Sequence, residues 1–446
     1  MKIKPSVLIS FILPLAMTAQ SSYTFTLVEA IDYALEYNAK ILSAEKSVLA
    51  AEFERRKTIA TGLPQINVDL NYNNWLKQQV SLIPAEFFGG NPGEFAPVLF
   101  GTKQNMSASA ELNQQLFNGS YLVGLQASKV YLAISMNAKD KVRTEVIKAV
   151  VSAYVNGLVA DESIKIAENN LSVISKNLND IRGLFKEGMV EEESVEQLQI
   201  LESTIQSNFN NGKRMRDLAY NMLKLVLGLD IDNDVVIIDD LETLALARID
   251  LSLLEQSFQL NENIDFRIAK NQEESKSLLL KLEKSKALPR LNAFVNAGYN
   301  GFNNNFEFAN SQQKWFGFSM AGLRMSIPIF SSLGRQASTK QAKINLDIAQ
   351  IELKETAQRL NFELRSAKND FQYAIETFYI NQESLKLAER ISNKNQIKFI
   401  EGIATSFDLR QAQQQLYEAQ YNYLNAMTDV ITKKTTLDAI LNNLSK

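Results

Sequence analysis

The stretch Ser331–Phe399 reads SSLGRQASTKQAKINLDIAQIELKETAQRLNFELRSAKNDFQYAIETFYINQESLKLAERISNKNQIKF, with no proline anywhere in it. Its apolar residues fall at Leu346, Ala349, Leu353, Ala357, Leu360, Leu364, Ala367, Phe371, Ala374, Phe378, Leu385 and Ala388. The steps are threes and fours, with one place skipped near Asn381. That spacing is one stripe along a very long amphipathic helix. At 1.5 Å per residue it reaches roughly 100 Å, several times the ordinary length of about 11–12 residues.

The stripe has a twin. Val146, Ala149, Ala153, Gly157, Ala160, Ile164, Ala167, Leu171, Ile174, Leu178, Ile181 and Phe185 step by threes and fours without a break. Adding 214 to Ala153, Gly157, Ala160, Ile164, Leu171 and Ile174 gives Ala367, Phe371, Ala374, Phe378, Leu385 and Ala388. The same shift carries Phe185-Lys-Glu-Gly188 onto Phe399-Ile-Glu-Gly402. Upstream, Leu63-Pro64 is echoed by Leu288-Pro289, and Leu116-Phe117 by Ile329-Phe330. This pattern predicts an internal duplication, with repeat 1 over 20–229 and repeat 2 over 230–446.

Composition narrows the function. The chain has 446 residues and a net charge of −3, so no basic field argues for nucleic acid. It contains neither cysteine nor histidine. Thiol nucleophiles, disulfides, histidine bases and histidine-ligated zinc are therefore excluded. No carboxylate or lysine constellation stands out, so neither an enzyme nor a cofactor or metal site is expected. Prolines number 8, with none between Pro97 and Pro289 or after Pro328. Long uninterrupted helices fit that distribution, because proline inside a helix costs about 3 kcal/mol.

Residues 1–19 read as a signal peptide. Lys2 and Lys4 precede a short apolar core, and Met17-Thr-Ala19 offers a cleavage site. Next, Thr26 caps a short helix, with Glu29 completing a capping box and Asn38 ending the helix. A second helix is predicted over Ala39–Gly62. After Pro64 the period becomes two. Ile66, Val68, Leu70 and Tyr72 alternate with Asn67, Asp69, Asn71 and Asn73. Strands are expected near 64–80 and 105–117, joined by a long loop over Ser81–Lys103. Repeat 2 offers its own pair, near 289–300 and 315–330, with a phase change near Gly322 that reads as a bulge. A linker with a short strand is expected over Asp230–Leu241, then a short helix over Asp250–Asn263. Long helices near 119–186 and 331–399 turn at glycines and return near 194–227 and 406–444.

The polar lanes of these strands are mostly Asn, Gln and Ser, which suit water rather than a dry core. Membrane β-structure has to close, since no bare edge survives in hydrocarbon. Four strands are too few, because barrels need about eight or more. Three chains supply about twelve and leave a lumen. The expectation is a mixed α and β membrane protein: a homotrimeric 12-stranded transmembrane β-barrel, four strands per chain, continued by a long α-helical barrel. The competing expectation is an exported, non-channel coiled-coil adaptor or scaffold.

At this point the chain resembles the TolC-type outer-membrane efflux channels over nearly its whole length. The residues that carry the likeness are Leu27-Val-Glu29-Ala-Ile with Asn38, Leu63-Pro64, Leu116-Phe117, Phe185-x-x-Gly188 and Phe399-x-x-Gly402. Ser406-Phe-Asp408-Leu-x-x-Ala412 follows the last of them. The resemblance implies a homotrimer in the outer membrane of a Gram-negative bacterium, with its helical tunnel in the periplasm. It also implies partners: a periplasmic adaptor (membrane fusion) protein, an inner-membrane pump or ABC exporter, and outer-membrane lipid. The turns at Phe185, Gly188, Phe399 and Gly402 become the periplasmic tips and adaptor contacts. Asp408 aligns with a family aspartate that rings the constriction. The second ring position is Gln411, and the family's tip arginine position is Ala404, leaving Arg410 as a candidate replacement. Pro64, Pro289 and Pro328 mark strand–helix junctions. Trp75, Trp315, Phe316 and Phe318 read either as an interfacial aromatic girdle or as ordinary packing. Glu191, Glu192, Glu193 and Glu196 read as acids complementing a helix dipole.

Overall fold

The computed structural model describes residues 22–444. The expected signal peptide lies outside the described residues. β1 (Ser22–Phe25) leads into α1 (Leu27–Tyr37) and α2 (Ala39–Ala60). β2 (Gln65–Asn74), β3 (Val80–Pro84), β4 (Phe95–Leu99) and β5 (Gln104–Asn118) follow, then α3 (Gly119–Lys186) and α4 (Glu192–Leu227). β6 (Asp234–Ile237), α5 (Leu241–Ala247) and α6 (Ser252–Glu255) open the second half. α7 (Ile264–Ser285), β7 (Arg290–Asn303), β8 (Trp315–Ser326), α8 (Gly334–Ile400) and α9 (Ser406–Ile440) complete it. No described helix is long and apolar enough to cross a membrane.

The chain divides into two compact units, and each draws on both halves of the sequence. One holds residues up to Lys46 with Ala138–Arg267 and Thr356–Lys446; the other holds Ser47–Asn137 and Ile268–Glu355.

In the first unit, α8 buries Leu360, Leu364, Ala367, Phe371, Ala374 and Phe378, the stripe that its spacing predicts. α3 behaves differently. From Val146 to Leu158 it is apolar nearly all round, and Val146, Ile147, Val150, Val151, Tyr154 and Val155 are all buried. They pack with residues of β1, α1, β6 and α5 in one core. β1 and β6 pair in parallel, Ser22 opposite Asp234 through Phe25 opposite Ile237. Asp239, just past β6, reaches the start of α1. Its Oδ2 accepts the Leu27 N–H at 2.7 Å and lies 2.9 Å from the Tyr154 hydroxyl. A carboxylate suits the unpaired amides of a helix N-terminus. Burial, together with this carboxylate, pushes the Tyr154 phenol above its ordinary range.

Two buried asparagines perform matching work. Asn38 Oδ1 accepts the Lys40 N–H at 2.8 Å, and its Nδ2 donates to the Val226 carbonyl at 2.6 Å. Asn263 Oδ1 accepts the Asp265 N–H at 3.0 Å, and its Nδ2 donates to the Ile440 carbonyl at 3.0 Å. Each starts one helix and ties it to the C-terminal end of another. The helix expected over Asp250–Asn263 is mostly absent: only Ser252–Glu255 is α-helical, followed by a single 3-10 turn. Lys368 Nζ donates to the carbonyls of Leu254 and Gln256, at 2.8 and 2.9 Å, so the opened backbone keeps hydrogen-bond partners. The linker carries the expected short strand and also α5, capped by Asp240 through the Thr243 N–H at 2.8 Å.

The second unit contains a four-stranded antiparallel sheet in the order β2-β5-β7-β8. Four expectations are corrected here. The loop over Ser81–Lys103 contains a hairpin, β3 paired with β4 from Val80–Leu99 to Pro84–Phe95. The first strand therefore stops at Asn74 rather than continuing to 80. β8 ends at Ser326 rather than 330 and runs in unbroken register with β7, so there is no bulge at Gly322. A Cβ at Gly322 would come within 2.8 Å of the Phe294 ring, so the missing side chain makes room for that ring. The register slip occurs elsewhere, in β5 against β7 between Gln115 and Phe117.

Candidate functional site

Strand register sorts the sheet into two faces. One face carries the rows Ile66, Leu112, Val295, Ala321; Val68, Ala110, Ala297, Ser319; and Leu70, Ala108, Tyr299, Gly317. The opposite face carries Asn67, Glu111, Asn296, Met320; Asp69, Ser109, Gly298, Phe318; and Asn71, Ser107, Asn300, Phe316. In these rows the first face is apolar apart from Ser319. The second is mostly amide and hydroxyl, except on β8. Among the described residues none covers the apolar face of β2, where Ile66, Val68 and Leu70 are each 67–68% exposed. β2 and β8 pair on one side only, so both sheet edges present unmatched backbone groups. An exposed apolar face with two open edges is an aggregation hazard in water and an incomplete barrel wall in a membrane.

The loop end of the sheet is aromatic. Tyr72, Phe306, Phe308 and Trp315 form successive ring contacts with centroids 5.4–6.2 Å apart. Trp75 is exposed and continues the β2–β5 ladder through its N–H to the Lys103 carbonyl at 2.9 Å. Phe316 and Phe318 lie on the face opposite Trp315, so the four expected girdle residues do not form one belt. At the other end of the sheet, Pro64 immediately precedes β2 and Pro289 immediately precedes β7. Pro328 falls between β8 and α8.

The two helical turns close in the same way. Gly188 has φ +75 and Gly402 φ +74, the left-handed region that glycine enters cheaply. Gly188 N–H donates to the Phe185 carbonyl at 3.0 Å, and Met189 N–H to Leu184 at 2.9 Å. Gly402 N–H donates to Phe399 at 3.0 Å, and Ile403 N–H to Lys398 at 2.8 Å. This is the Schellman closure of a helix end. The Phe399 side chain is buried with Ile174, Leu178, Ile181, Leu198 and Leu409, whereas Phe185 is 41% exposed. The Ser194 and Ser406 hydroxyls, near the starts of α4 and α9, lie 3.0 Å apart.

Asp408 has a local task that the sequence reading missed. Thr405 caps α9: its Oγ1 accepts the Asp408 N–H at 3.2 Å, and its own N–H donates to Asp408 Oδ2 at 3.0 Å. Thr405-x-x-Asp408 is a capping box, a signal visible in the sequence itself. The Thr405 hydroxyl and backbone hold the Asp408 carboxyl below its ordinary range. Asp408 and Gln411 are exposed, while Leu409, Ala412 and Gln413 point into the bundle. Arg410 is half-buried, its guanidinium 5.3 Å from the Phe407 ring centre. The acids expected to favour a helix start do so, Glu192 and Glu193 occupying the first turn of α4.

The second unit thus presents a four-stranded sheet with one apolar face, one largely polar face and two open edges. The chain belongs to the outer membrane efflux protein family, whose sequence model matches residues 30–229 and 257–443. Membership makes it an outer-membrane protein of a Gram-negative bacterium, and does not favour the adaptor or scaffold alternative. It is similar to outer membrane protein TolC of Vibrio cholerae serotype O1, 21% identical over 424 residues, covering 94% of this chain and 91% of the relative. The solved outer membrane protein VceC of Vibrio cholerae matches with a TM-score of 0.72 at 14% identity, covering 93% of this chain and 95% of that one. CusC matches with a TM-score of 0.74 at 17% identity, over 93% and 91%. The Campylobacter jejuni CmeC outer membrane channel matches at 0.72 and 17%, over 93% and 85%.

Proposed function

We propose that three copies of this chain close their sheets, β8 of one against β2 of the next, into a twelve-stranded barrel. The observation that carries this reading is the sheet itself: four strands, two open edges, one face apolar and one largely hydrated. The long helices continue the barrel as a periplasmic tunnel. The duct serves a tripartite efflux or type I secretion system, and the channel itself catalyses nothing. Its partners are a periplasmic adaptor and an inner-membrane pump or ABC exporter. The two-repeat organisation, 20–229 and 230–446, is supported by the two stretches that the family model matches and by the paired glycine turns.

The turns at Gly188 and Gly402, with Phe185 and Phe399, form the periplasmic tips and meet the adaptor. Asp408 belongs to the gate. Three copies of a carboxylate held ionised by its capping box favour cations at the constriction. Gln411, one turn on, lies on the same exposed side and adds polarity without charge, and Arg410 neighbours both. Pro64, Pro289 and Pro328 mark where the chain passes between sheet and helices.

Reconstitution tests the reading. Purified full-length protein is expected to run as a heat-sensitive trimer and to give discrete single-channel currents in planar bilayers. A monomer that never conducts would contradict it. Asp408→Ala is expected to lower cation selectivity, and an unchanged selectivity would remove Asp408 from the gate.

A further inference from the structure

The hydrated face of the sheet contains one apolar lane. On β8 its residues are Phe316, Phe318 and Met320, and the adjoining β7 adds Phe294 and Phe302. Phe316 is 56% and Met320 57% exposed, in rows otherwise built of Asn, Ser and Glu. The Phe302 and Phe316 ring centres lie 6.1 Å apart. Two rows toward the Pro289 end from Met320, the Arg324 guanidinium sits 5.1 Å from the Phe294 ring centre. Arg290 occupies the next row on the same face. A wall that only held water would carry amides here, as β2 does.

We propose that this lane is a contact surface for small anionic amphiphiles, with the acidic group at Arg324 and Arg290 and the aromatic or alkyl body along Met320, Phe318 and Phe316. The proposal rests on the barrel reading, in which this face lines the lumen. Exposed apolar surface gains by being covered, and a ligand body covers it. The charges fix the orientation. The Met320 row carries Glu111 two strands across, about 10 Å away at the usual strand spacing, and continues to Asn67. Asp69 sits in the Phe318 row, three strands across within the chain, and β2 of the adjoining copy brings a second Asp69 to the other side of β8. The Arg324 and Arg290 rows hold no carboxylate, so an anionic head avoids the rows of Glu111 and Asp69 and settles at the arginine end, where a guanidinium already lies against a ring of the lane. From Met320 to Arg324 is four residues along one strand, about 13 Å, within reach of a two- or three-ring organic acid.

The test uses the reconstituted full-length channel, with 8-anilinonaphthalene-1-sulfonate as the blocking probe. Potassium chloride conductance reads the barrel, and block by the probe reads the lane. The triple variant Phe316→Asn/Phe318→Asn/Met320→Asn is expected to conduct within twofold of the unaltered channel and to need at least tenfold more probe for half block. Arg324→Gln is expected to need several-fold more. A quaternary ammonium amphiphile of similar ring size is expected to block the unaltered channel at least tenfold more weakly than the sulfonate. Equal block of the conducting triple variant and the unaltered channel would overturn the lane while leaving the barrel intact. Equal or tighter block by the cation would overturn the assignment of an anionic ligand. Absence of conductance in the unaltered protein would overturn barrel and lane together. Should the triple variant fail to assemble, Met320→Asn and Arg324→Gln, each altering one exposed side chain, carry the same comparison.

Discussion

Asn38 and Asn263 show how much a single buried amide can hold. Each supplies a cap acceptor to one helix and a donor to a carbonyl of another. Asn38→Ala removes the cap and strands a carbonyl, costing about 1 kcal/mol for the cap and about 1–3 kcal/mol for the unpaired group. The expected loss is roughly 2–4 kcal/mol, read from the urea midpoint of the detergent-solubilised protein. An unshifted midpoint would mean that water replaces both bonds. Asp408 gives a pH dependence of known sign. The Thr405 hydroxyl and backbone lower its pKa, so its contribution is complete above the ordinary carboxylate range and is lost as pH falls through the lowered value. Amide protection over the first turn of α9, measured relative to the intrinsic exchange rate at each pH, is therefore expected to fall on acidification below about pH 4. Thr405→Ala removes most of that dependence, and a variant that retained all of it would show that the capping box is not its source.

At the scale of elements, the sheet depends on close backbone approach at Gly298. A Cβ there would fall inside contact distance of the Ala108 carbonyl oxygen, with Ser109 only 2.9 Å away. Gly298→Ala is expected to part β5 from β7 and remove the trimer band. Gly322→Ala meets only the tip of the Phe294 ring, which can turn, and is expected to retain it. Equal trimer recovery for both would contradict this. The helices were legible because their signals are local: the α8 stripe and the Thr26–Glu29 capping box both appear as read. The β3–β4 hairpin was not, because Pro84, Gly89, Gly90, Pro92, Gly93 and Pro97 punctuate a stretch whose strands are only five residues long. The opened helix near Ser252–Glu255 could not be read locally either, since the lysine that satisfies its carbonyls lies more than a hundred residues away. The same holds for β1, which pairs with a strand 212 residues on. In the candidate site, the glycine turns were legible from their repeat. The β8 lane was not, because the shift in alternation at Gly322 looks the same whether it marks a bulge or a lane that changes face.

For the whole molecule, the tip turns and the sheet are expected to act separately. Gly402→Pro demands φ near −65° where the backbone holds +74 and removes the N–H that meets Phe399. The variant is expected to keep its trimer and its bilayer conductance while losing pump-dependent efflux; unchanged efflux would remove the tip from adaptor docking. The wall itself admits a direct test, because the chain has no cysteine of its own and any introduced thiol is unique. Single cysteines placed at Asn71, Ser109 and Asn300, and at Leu70, Ala108 and Tyr299, sample the two faces of β2, β5 and β7. With a charged, water-soluble methanethiosulfonate added to single channels, the first three are expected to lose current stepwise, up to three times per channel, and the second three to be unaffected. Equal reaction on both faces, or current loss only at Leu70→Cys, Ala108→Cys and Tyr299→Cys, would contradict a barrel lined by the amide-rich face.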